Sequence, residues 1–262
     1  MVTIKYAGPQ NCARRADNQR GLTLVEAMIA MTIFVLVVAG IYTTFTLQQE
    51  SYLQTESRVT MVQEARAAQF FLARDVKMAG YDPTTYARTG FVLSNEAEVE
   101  ISMDIAANGD KNNVESTRFA LTDDDGMLED GICPDGVTCR LSREWCSEDG
   151  TCGGLQPIAE NVEALEFCYI IANTRVTKTP TAIERLRITS VFVSLLMRQT
   201  FRTQHYENTD TYMPASGNEE LTPLFTGNRS DGWGPFDDPY HRKLVIFEVK
   251  ARNIGMNPYL DL

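Results

Sequence analysis

Histidine and positive charge are both scarce in this chain of 262 residues. Only two histidines occur, His205 and His241, which excludes histidine-rich metal sites and leaves little for histidine-based catalysis. Acidic residues outnumber basic ones by 35 to 24, a net charge of −11, so binding of nucleic acid through a basic face is excluded as a primary function. The P-loop, the strand-preceded GxGxxG, GxSxG and HExxH motifs are absent as well. We therefore expect neither an enzyme nor a cofactor-binding protein.

The bulk composition is that of a globular protein, but charge and hydrophobicity are unevenly distributed at the N-terminus. Apolar residues make up 44% and charged residues 23% of the chain. Residues 1–21 contain four basic side chains and one acidic side chain. Residues 27–47 contain no charge, and as a helix they would be about 31 Å long, the thickness of a bilayer core. Basic residues ahead of such a span predict a single-pass membrane protein with its N-terminus in the cytoplasm.

Three interpretations compete for this N-terminal segment. A cleaved signal peptide would have a shorter apolar stretch and a small-residue cleavage site; Ala39 and Gly40 mimic such a site, but apolar residues continue beyond them. A plain signal anchor accounts for the length and for the charge bias. It leaves Glu26 unexplained, a carboxylate at the start of the apolar run that is costly in hydrocarbon and usually marks a paired, functional role.

The segment that contains this carboxylate, RGLTLVE from Arg20 to Glu26, resembles the processing site of type IV prepilins and type II secretion pseudopilins. The resemblance implies that a prepilin peptidase cuts between Gly21 and Leu22 and that the new amine of Leu22 is methylated. Residues 1–21 would then be a cytoplasmic leader peptide. The family most often has Phe where this chain has Leu22, a departure that affects the efficiency of processing more than its identity.

The same resemblance gives Glu26 a role in assembly, for which there is a physical reason. Cleavage leaves a positive amine at the start of a helix whose dipole adds positive potential there, and an unpaired amine and an unpaired carboxylate are both costly in lipid. If helices stack with an axial offset, Glu26 of one subunit neutralises the amine of the next, and the pairing also sets the register. The alternative is that Glu26 only caps its own helix or reaches the headgroups.

The apolar run continues into a second helical stretch. Apolar residues at spacings of three and four predict one buried helix face, formed by Met61, Ala65, Ala68, Leu72, Val76 and Ala79. Gly80 is suited to a left-handed cap, and Pro83 blocks continuation of the helix. We therefore predict one N-terminal helix over residues 22–79, with its transmembrane part at about 27–47. Two helices hinged near Gly40 or Thr43-Thr44 are the alternative.

The end of this helix is similar to the corresponding stretch of pilin-assembly proteins of the PilW type. The residues that carry the similarity are Phe71, Leu72, Ala73, Arg74, Asp75, Met78, Ala79, Gly80 and Tyr81. The later stretches IAENVEALEFCYI, LRITSVFVSLLMR and KLVIFEVKARNIG also resemble the sheet of these proteins. Charge on a helix is by default solvated surface, and this is the expectation for Arg74 and Asp75.

Beyond Gly80 the hydrophobic period changes from that of a helix to that of a strand. Alternating runs bounded by turn residues lie at 98–103, 117–121, 165–171, 191–195 and 245–251. One long helix followed by strands predicts the α+β class, a long N-terminal helix packed on a mostly antiparallel sheet, which is also the pilin-like fold that the resemblance implies. Residues 80–262 would form an exported, β-rich globular domain.

Five cysteines lie beyond the predicted leader. In an oxidising, exported setting they favour disulfides, and their spacing is unlike that of CxxC-type zinc sites. Cys133, Cys139, Cys146 and Cys152 flank two Asp-Gly turns, which favours Cys133–Cys139 and Cys146–Cys152 as small closed loops. The nested pairing of Cys133 with Cys152 and of Cys139 with Cys146 stays open. Cys168, inside an apolar strand, is predicted to be a buried free thiol.

Two acidic clusters contain the hard oxygen ligands that calcium prefers, but neither has the EF-hand spacing. They lie at residues 108–115 and 122–130, and a hairpin turn is the favoured interpretation of both. A longer stretch, residues 203–241, lacks helix or strand periodicity. Its aromatic residues suit either a partner surface or packing onto the sheet edge.

Taken over most of the chain, the resemblance implies a structural assembly protein, a minor pilin of the PilW type. Its partners would be the prepilin peptidase, other minor pilins, the major pilin and a tip adhesin. The protein would lie in the inner membrane before assembly and in the periplasm and the cell-surface pilus afterwards. A type II secretion pseudopilin of the J type is the alternative within this class. A membrane-anchored calcium-dependent binding protein is the alternative from another class.

Overall fold

The structure of the protein is a computed structural model that describes residues 21–204 and 206–254. Residues 1–20 of the predicted leader and His205 lie outside the described residues, as do residues 255–262. The chain divides into two compact units, one ending at Ser51 and one beginning at Tyr52. A long N-terminal helix followed by antiparallel sheets confirms the predicted α+β class.

The first element is a helix, α1, that runs without interruption from Leu24 to Met78. It passes through Gly40, one of the two places where a hinge was the alternative. Gly80 follows the helix with a φ of 77°, the left-handed conformation expected of a cap. Its N–H donates to the carbonyl of Ser102 at 3.1 Å, which turns the chain away from the helix axis.

The first sheet is an antiparallel meander of five strands in chain order. Its strands are β1 (Phe91–Ser94), β2 (Glu98–Met103), β3 (Glu115–Thr122), β4 (Arg140–Cys146) and β5 (Gln156–Glu160). Two of them, β2 and β3, were predicted from their alternation of apolar and polar residues. The other three are short or carry charged residues and proline, which conceals the alternation.

The second sheet has four antiparallel strands. They are β6 (Val162–Ile171), β7 (Arg175–Thr177), β8 (Ile188–Arg198) and β9 (Arg242–Lys250), in the spatial order β7-β6-β8-β9. A four-residue helix, α2 (Ala182–Arg185), connects β7 to β8. The predicted runs at 165–171, 191–195 and 245–251 correspond to β6, β8 and β9.

The main core lies between the second half of α1 and the two sheets. The helix residues in it are Met61, Ala65, Ala68, Leu72 and Val76, the buried face that the periodicity predicts. Phe119 and Leu121 on β3 and Phe167 on β6 pack in the same core and are fully buried. Burial of side chains of this size contributes about 1.5–3 kcal/mol each.

Residues 203–241 cover the outer face of the second sheet. Trp233, which is only 8% exposed, packs on Ala164 of β6 and Leu196 of β8. Phe225 and the buried Ala215 pack beside Cys168 on the same sheet face. Trp233 therefore lies on the face of the sheet, whereas the backbone beside Phe225 pairs with the edge strand β7, where the N–H of Val176 donates to the carbonyl of Leu224 at 3.0 Å. The cover on this face explains why β6 is buried along nearly its whole length.

Two buried carboxylates of β6 hold this covering segment in place. Glu166 accepts hydrogen bonds from the N–H and the hydroxyl of Ser216 at 3.1 and 2.6 Å. Arg242, whose side chain is 1% exposed, joins Glu163 to Asp238 through its guanidinium. Buried charges are tolerated here because each has a partner of opposite sign or a hydrogen-bond donor.

A buried ion pair joins α1 to the first sheet. Asp75 is 4% exposed, and its carboxylate accepts from Nε of Arg143 on β4 at 2.7 Å. Its second oxygen accepts from Nε of Arg74 at 2.7 Å. The expectation that Asp75 is solvated surface is therefore wrong: the carboxylate faces the sheet, and it is paired there.

The two disulfides among Cys133, Cys139, Cys146 and Cys152 join cysteines that are consecutive in the sequence. Cys133 is bonded to Cys139 and Cys146 to Cys152, and each bond joins residues six apart in the sequence. The second bond connects the end of β4 to the residue that faces it across an isolated antiparallel bridge. Cys168 is buried and unpaired, and burial raises the pKa of its thiol.

Removing the buried carboxylate should destabilise the second unit strongly. We expect Asp75→Ala to lower the free energy of unfolding by about 3 kcal/mol, because Arg143 would be left without its counter-charge in a largely buried position. Urea unfolding of the full chain in detergent, followed by circular dichroism, measures this change. The control is Asp124→Ala, because Asp124 pairs with Arg140 but its side chain is 86% exposed; we expect a loss below about 1 kcal/mol there. Equal effects of the two substitutions would contradict the role given to Asp75.

Each small disulfide loop should contribute modestly to stability. Closing a loop of this length constrains the unfolded chain by about 2 kcal/mol, so the Cys146→Ser/Cys152→Ser double variant should lose that amount. Peptide mapping under non-reducing conditions should recover the two sequential links. Recovery of a peptide that joins Cys133 to Cys152 would instead support the nested arrangement.

Candidate functional site: the N-terminal end of the long helix

Gly21, Leu22 and Thr23 form an exposed segment with no regular secondary structure, directly ahead of α1. A Cβ built on Gly21 would meet no atom within 4 Å, and its φ is not in the left-handed region. Leu22 is 77% exposed. The described chain itself thus imposes no requirement for glycine at this position, and the bond between Gly21 and Leu22 is accessible.

Thr23 and Glu26 form a capping box at the start of α1. The N–H and the hydroxyl of Thr23 both donate to Oε2 of Glu26, at 3.0 and 2.9 Å. The N–H of Glu26 donates in return to the hydroxyl of Thr23 at 3.3 Å. Reciprocal bonds of this kind satisfy backbone donors that a helix start leaves without partners. Sequence reasoning named Glu26 but not Thr23, although the Thr-x-x-Glu pattern signals the motif.

Only one of the two carboxylate oxygens of Glu26 takes part in the cap. Both Thr23 donors reach Oε2, and among the described residues Oε1 accepts no hydrogen bond. A carboxylate oxygen can accept from more than one donor, so Glu26 retains capacity for a further partner. Capping of its own helix and pairing with a charge on another molecule are therefore compatible.

The helix that follows Glu26 exposes a continuous apolar surface. All large apolar side chains from Leu22 to Leu47 are between 44% and 79% exposed. By length and composition α1 could cross a membrane, with a most apolar window of mean hydropathy 2.5. Residues 27–47 also lack any charged side chain. A surface of this kind is stable only against lipid or against other apolar surfaces.

The threonine side chains inside the apolar run are satisfied within the helix. The hydroxyl of Thr32 donates to the carbonyl of Met28 at 2.9 Å. Thr43 and Thr44 both donate to the carbonyl of Gly40, each at 2.9 Å. Hydroxyls bonded in this way do not need water, which removes most of the cost of placing threonine in hydrocarbon.

The two acidic clusters form turns. In the cluster at 122–130, Oδ1 of Asp123 accepts from the N–H groups of Asp125 and Gly126, both at 2.9 Å. In the cluster at 108–115, Oε2 of Glu115 accepts from the N–H of Ile105 at 3.0 Å. Local side-chain to backbone bonds of this kind are typical of loops.

One other group of side chains has metal-ligand chemistry. Glu144, Cys146 and Cys152 have possible ligand atoms within 4.8 Å of one another. The two sulfurs are joined in a disulfide, and a metal is bound by the thiolate form of cysteine. In the described structure this group therefore does not offer a set of three ligands.

Comparison with known proteins gives one match to a family model, and it falls on this segment. Residues 17–42 match the prokaryotic N-terminal methylation motif. No protein with a curated description matches the chain. Among solved structures, a type IV-like pilin from Thermus thermophilus is similar over 74% of this chain and 97% of its own length, with 14% identity and a TM-score of 0.42.

The matched motif includes the predicted cleavage position, the capping box and most of the apolar run. Upstream of it lie basic residues, and downstream lies an α+β unit with two antiparallel sheets. The chain therefore carries the prokaryotic N-terminal methylation motif at the start of a long apolar helix, ahead of an α+β unit.

Proposed function

We propose that this protein is a minor pilin of the PilW type. In this proposal prepilin peptidase cuts between Gly21 and Leu22, the new amine of Leu22 is methylated, and α1 carries the protein into a pilus or into the complex that primes one. The protein lies in the inner membrane with its N-terminus in the cytoplasm and is then transferred to a pilus at the cell surface. Its partners there are other minor pilins, the major pilin and a tip adhesin.

The observation that carries the proposal is the exposed apolar surface of residues 22–47. Sixteen large apolar side chains in this range are largely exposed, and burying them is worth roughly 20 kcal/mol or more. Lipid satisfies this surface before assembly, and the helices of neighbouring subunits satisfy it afterwards. If the helix were only an anchor, lipid alone would cover its apolar surface. The carboxylate at its start would then contribute nothing to its stability.

Glu26 supplies the specificity of this association. Its free Oε1 can accept from the amine that cleavage creates on a neighbouring subunit, while Oε2 keeps the cap of its own helix. A paired amine and carboxylate avoid the cost that each would have alone in an apolar environment. The pair also fixes the axial offset between two helices that are otherwise uniformly apolar.

Replacing Gly21 tests the cleavage step. We expect Gly21→Ala to leave the leader attached, because the added methyl meets no atom of this chain and so changes only recognition by the peptidase. N-terminal sequencing of the membrane-extracted protein should give Leu22 as the first residue of the wild type and Met1 for the variant. A wild-type protein that keeps residues 1–21 would overturn the proposal.

Two further substitutions separate the charge of Glu26 from its capping role. Glu26→Gln keeps an acceptor for Thr23 and hence the capping box, but it removes the charge. We expect this variant to be cleaved normally and to enter pili roughly a hundredfold less, since an unpaired charge in the bilayer costs about 3 kcal/mol. Quantitative immunoblotting of sheared pili against the membrane fraction measures the ratio.

Thr23→Ala is the matched variant for this experiment. It removes the cap, at a cost of about 1 kcal/mol to the helix, and leaves the carboxylate in place. Incorporation into pili should therefore stay close to the wild-type level. If Thr23→Ala were defective and Glu26→Gln were normal, Glu26 would act as a cap and the pairing with the amine would be refuted.

A further inference from the structure

The exposed side of α1 in the second unit carries positive charge on an otherwise acidic chain. Arg66, Phe70, Arg74 and Lys77 lie on this side, and we call these four residues the basic helix face. Each of these residues is three or four positions from the next, about one helical turn, so all four follow one side of the helix. The core residues of α1, such as Ala68 and Leu72, are on the opposite side.

Two of the four residues of the basic helix face, Arg66 and Lys77, lack an ion-pair partner among the described residues, whereas Arg74 and Phe70 both contact Phe71. Arg74 also pairs with Asp75. Phe70 is 63% exposed at the centre of the face. With Gln69, Ala73 and Met78 these residues line an open groove of about 600 Å³. An exposed aromatic ring surrounded by arginine and lysine is typical of a protein–protein contact.

A surface of opposite charge lies elsewhere on the same chain. The turn between β3 and β4, residues 123–130, carries five carboxylates in eight residues, and we call it the acidic turn. Asp124 has 86% of its side chain accessible and pairs with Arg140 of its own chain. Met127 in the same turn is partly exposed and can contact an aromatic ring, whereas Leu128 packs against the main core. Among the ion pairs of the described residues, none joins this turn to the basic helix face.

The geometry points to a contact between copies of this protein, in which the basic helix face of one copy binds the acidic turn of a second copy. The two surfaces are complementary in charge, and each offers an apolar centre within its charged border. Because they are different surfaces, the contact is heterologous and leaves a free surface of each kind for a further copy. The contact deepens the proposed function and rests on it, since it names the neighbour that α1 meets in the assembly.

Photo-crosslinking tests the contact in the full-length protein. Benzoylphenylalanine replaces Phe70, the protein is purified in a non-ionic detergent and irradiated, and covalent dimers are digested and mapped by mass spectrometry. We expect a dimer whose crosslinked peptide contains residues 123–130. Arg66→Glu/Lys77→Glu in the same background should reduce the yield of dimer roughly tenfold, the effect of reversing two exposed pairs.

Charge exchange shows whether the two surfaces meet directly. The Arg66→Glu/Lys77→Glu protein, with benzoylphenylalanine at position 70, is mixed with an Asp124→Lys/Asp125→Lys protein that keeps Phe70, so that only the two exchanged surfaces can be crosslinked, and this mixture should restore the dimer. Lys111→Glu should leave the yield unchanged because Lys111 is exposed outside both surfaces. No dimer, a dimer mapped to another segment, or a yield that ignores charge reversal would overturn the inference. The assay needs neither cleavage nor a pilus, so a negative result here leaves the roles of Gly21 and Glu26 standing, and their failure leaves this result standing.

Discussion

The apolar surface of residues 22–47 must be kept from water. This constraint decides which polar groups the first half of α1 can contain and how each of them is satisfied. No charged side chain lies within residues 27–47, and the threonine hydroxyls there are bonded to carbonyls of the same helix. The carboxylate at its start is held by the capping box and still has one free oxygen. Each polar group at this end of α1 is therefore either satisfied or available for one more charged partner.

The sequence was sufficient for the elements with a strong hydrophobic period. The buried face of α1 and the strands β2, β3, β6, β8 and β9 all show the spacing that their burial requires. β4 and β5 were missed because their exposed sides carry arginine, glutamate and proline, which conceals the alternation. The site at the helix start was named from local sequence, since Gly21, Leu22 and Glu26 are within six residues of one another.

Contacts between distant residues could not be predicted in this way. Asp75 and Arg143 are 68 residues apart, and no local pattern distinguishes their charges from solvated ones. The covering of the second sheet by residues 203–241 has no periodicity of its own. Its signal was indirect: β6 is mostly apolar on both faces, and a strand that is buried on both faces needs a layer on each side.

The carbonyl of Gly40 has a mechanical consequence. This carbonyl accepts hydrogen bonds from the hydroxyls of Thr43 and Thr44 in addition to its hydrogen bond within the helical backbone. When the helix is pulled along its axis, this carbonyl can separate from its backbone donor and still accept a hydrogen bond in an apolar environment. Lengthening of α1 at this turn therefore costs less than at a turn whose carbonyl has no hydroxyl partner.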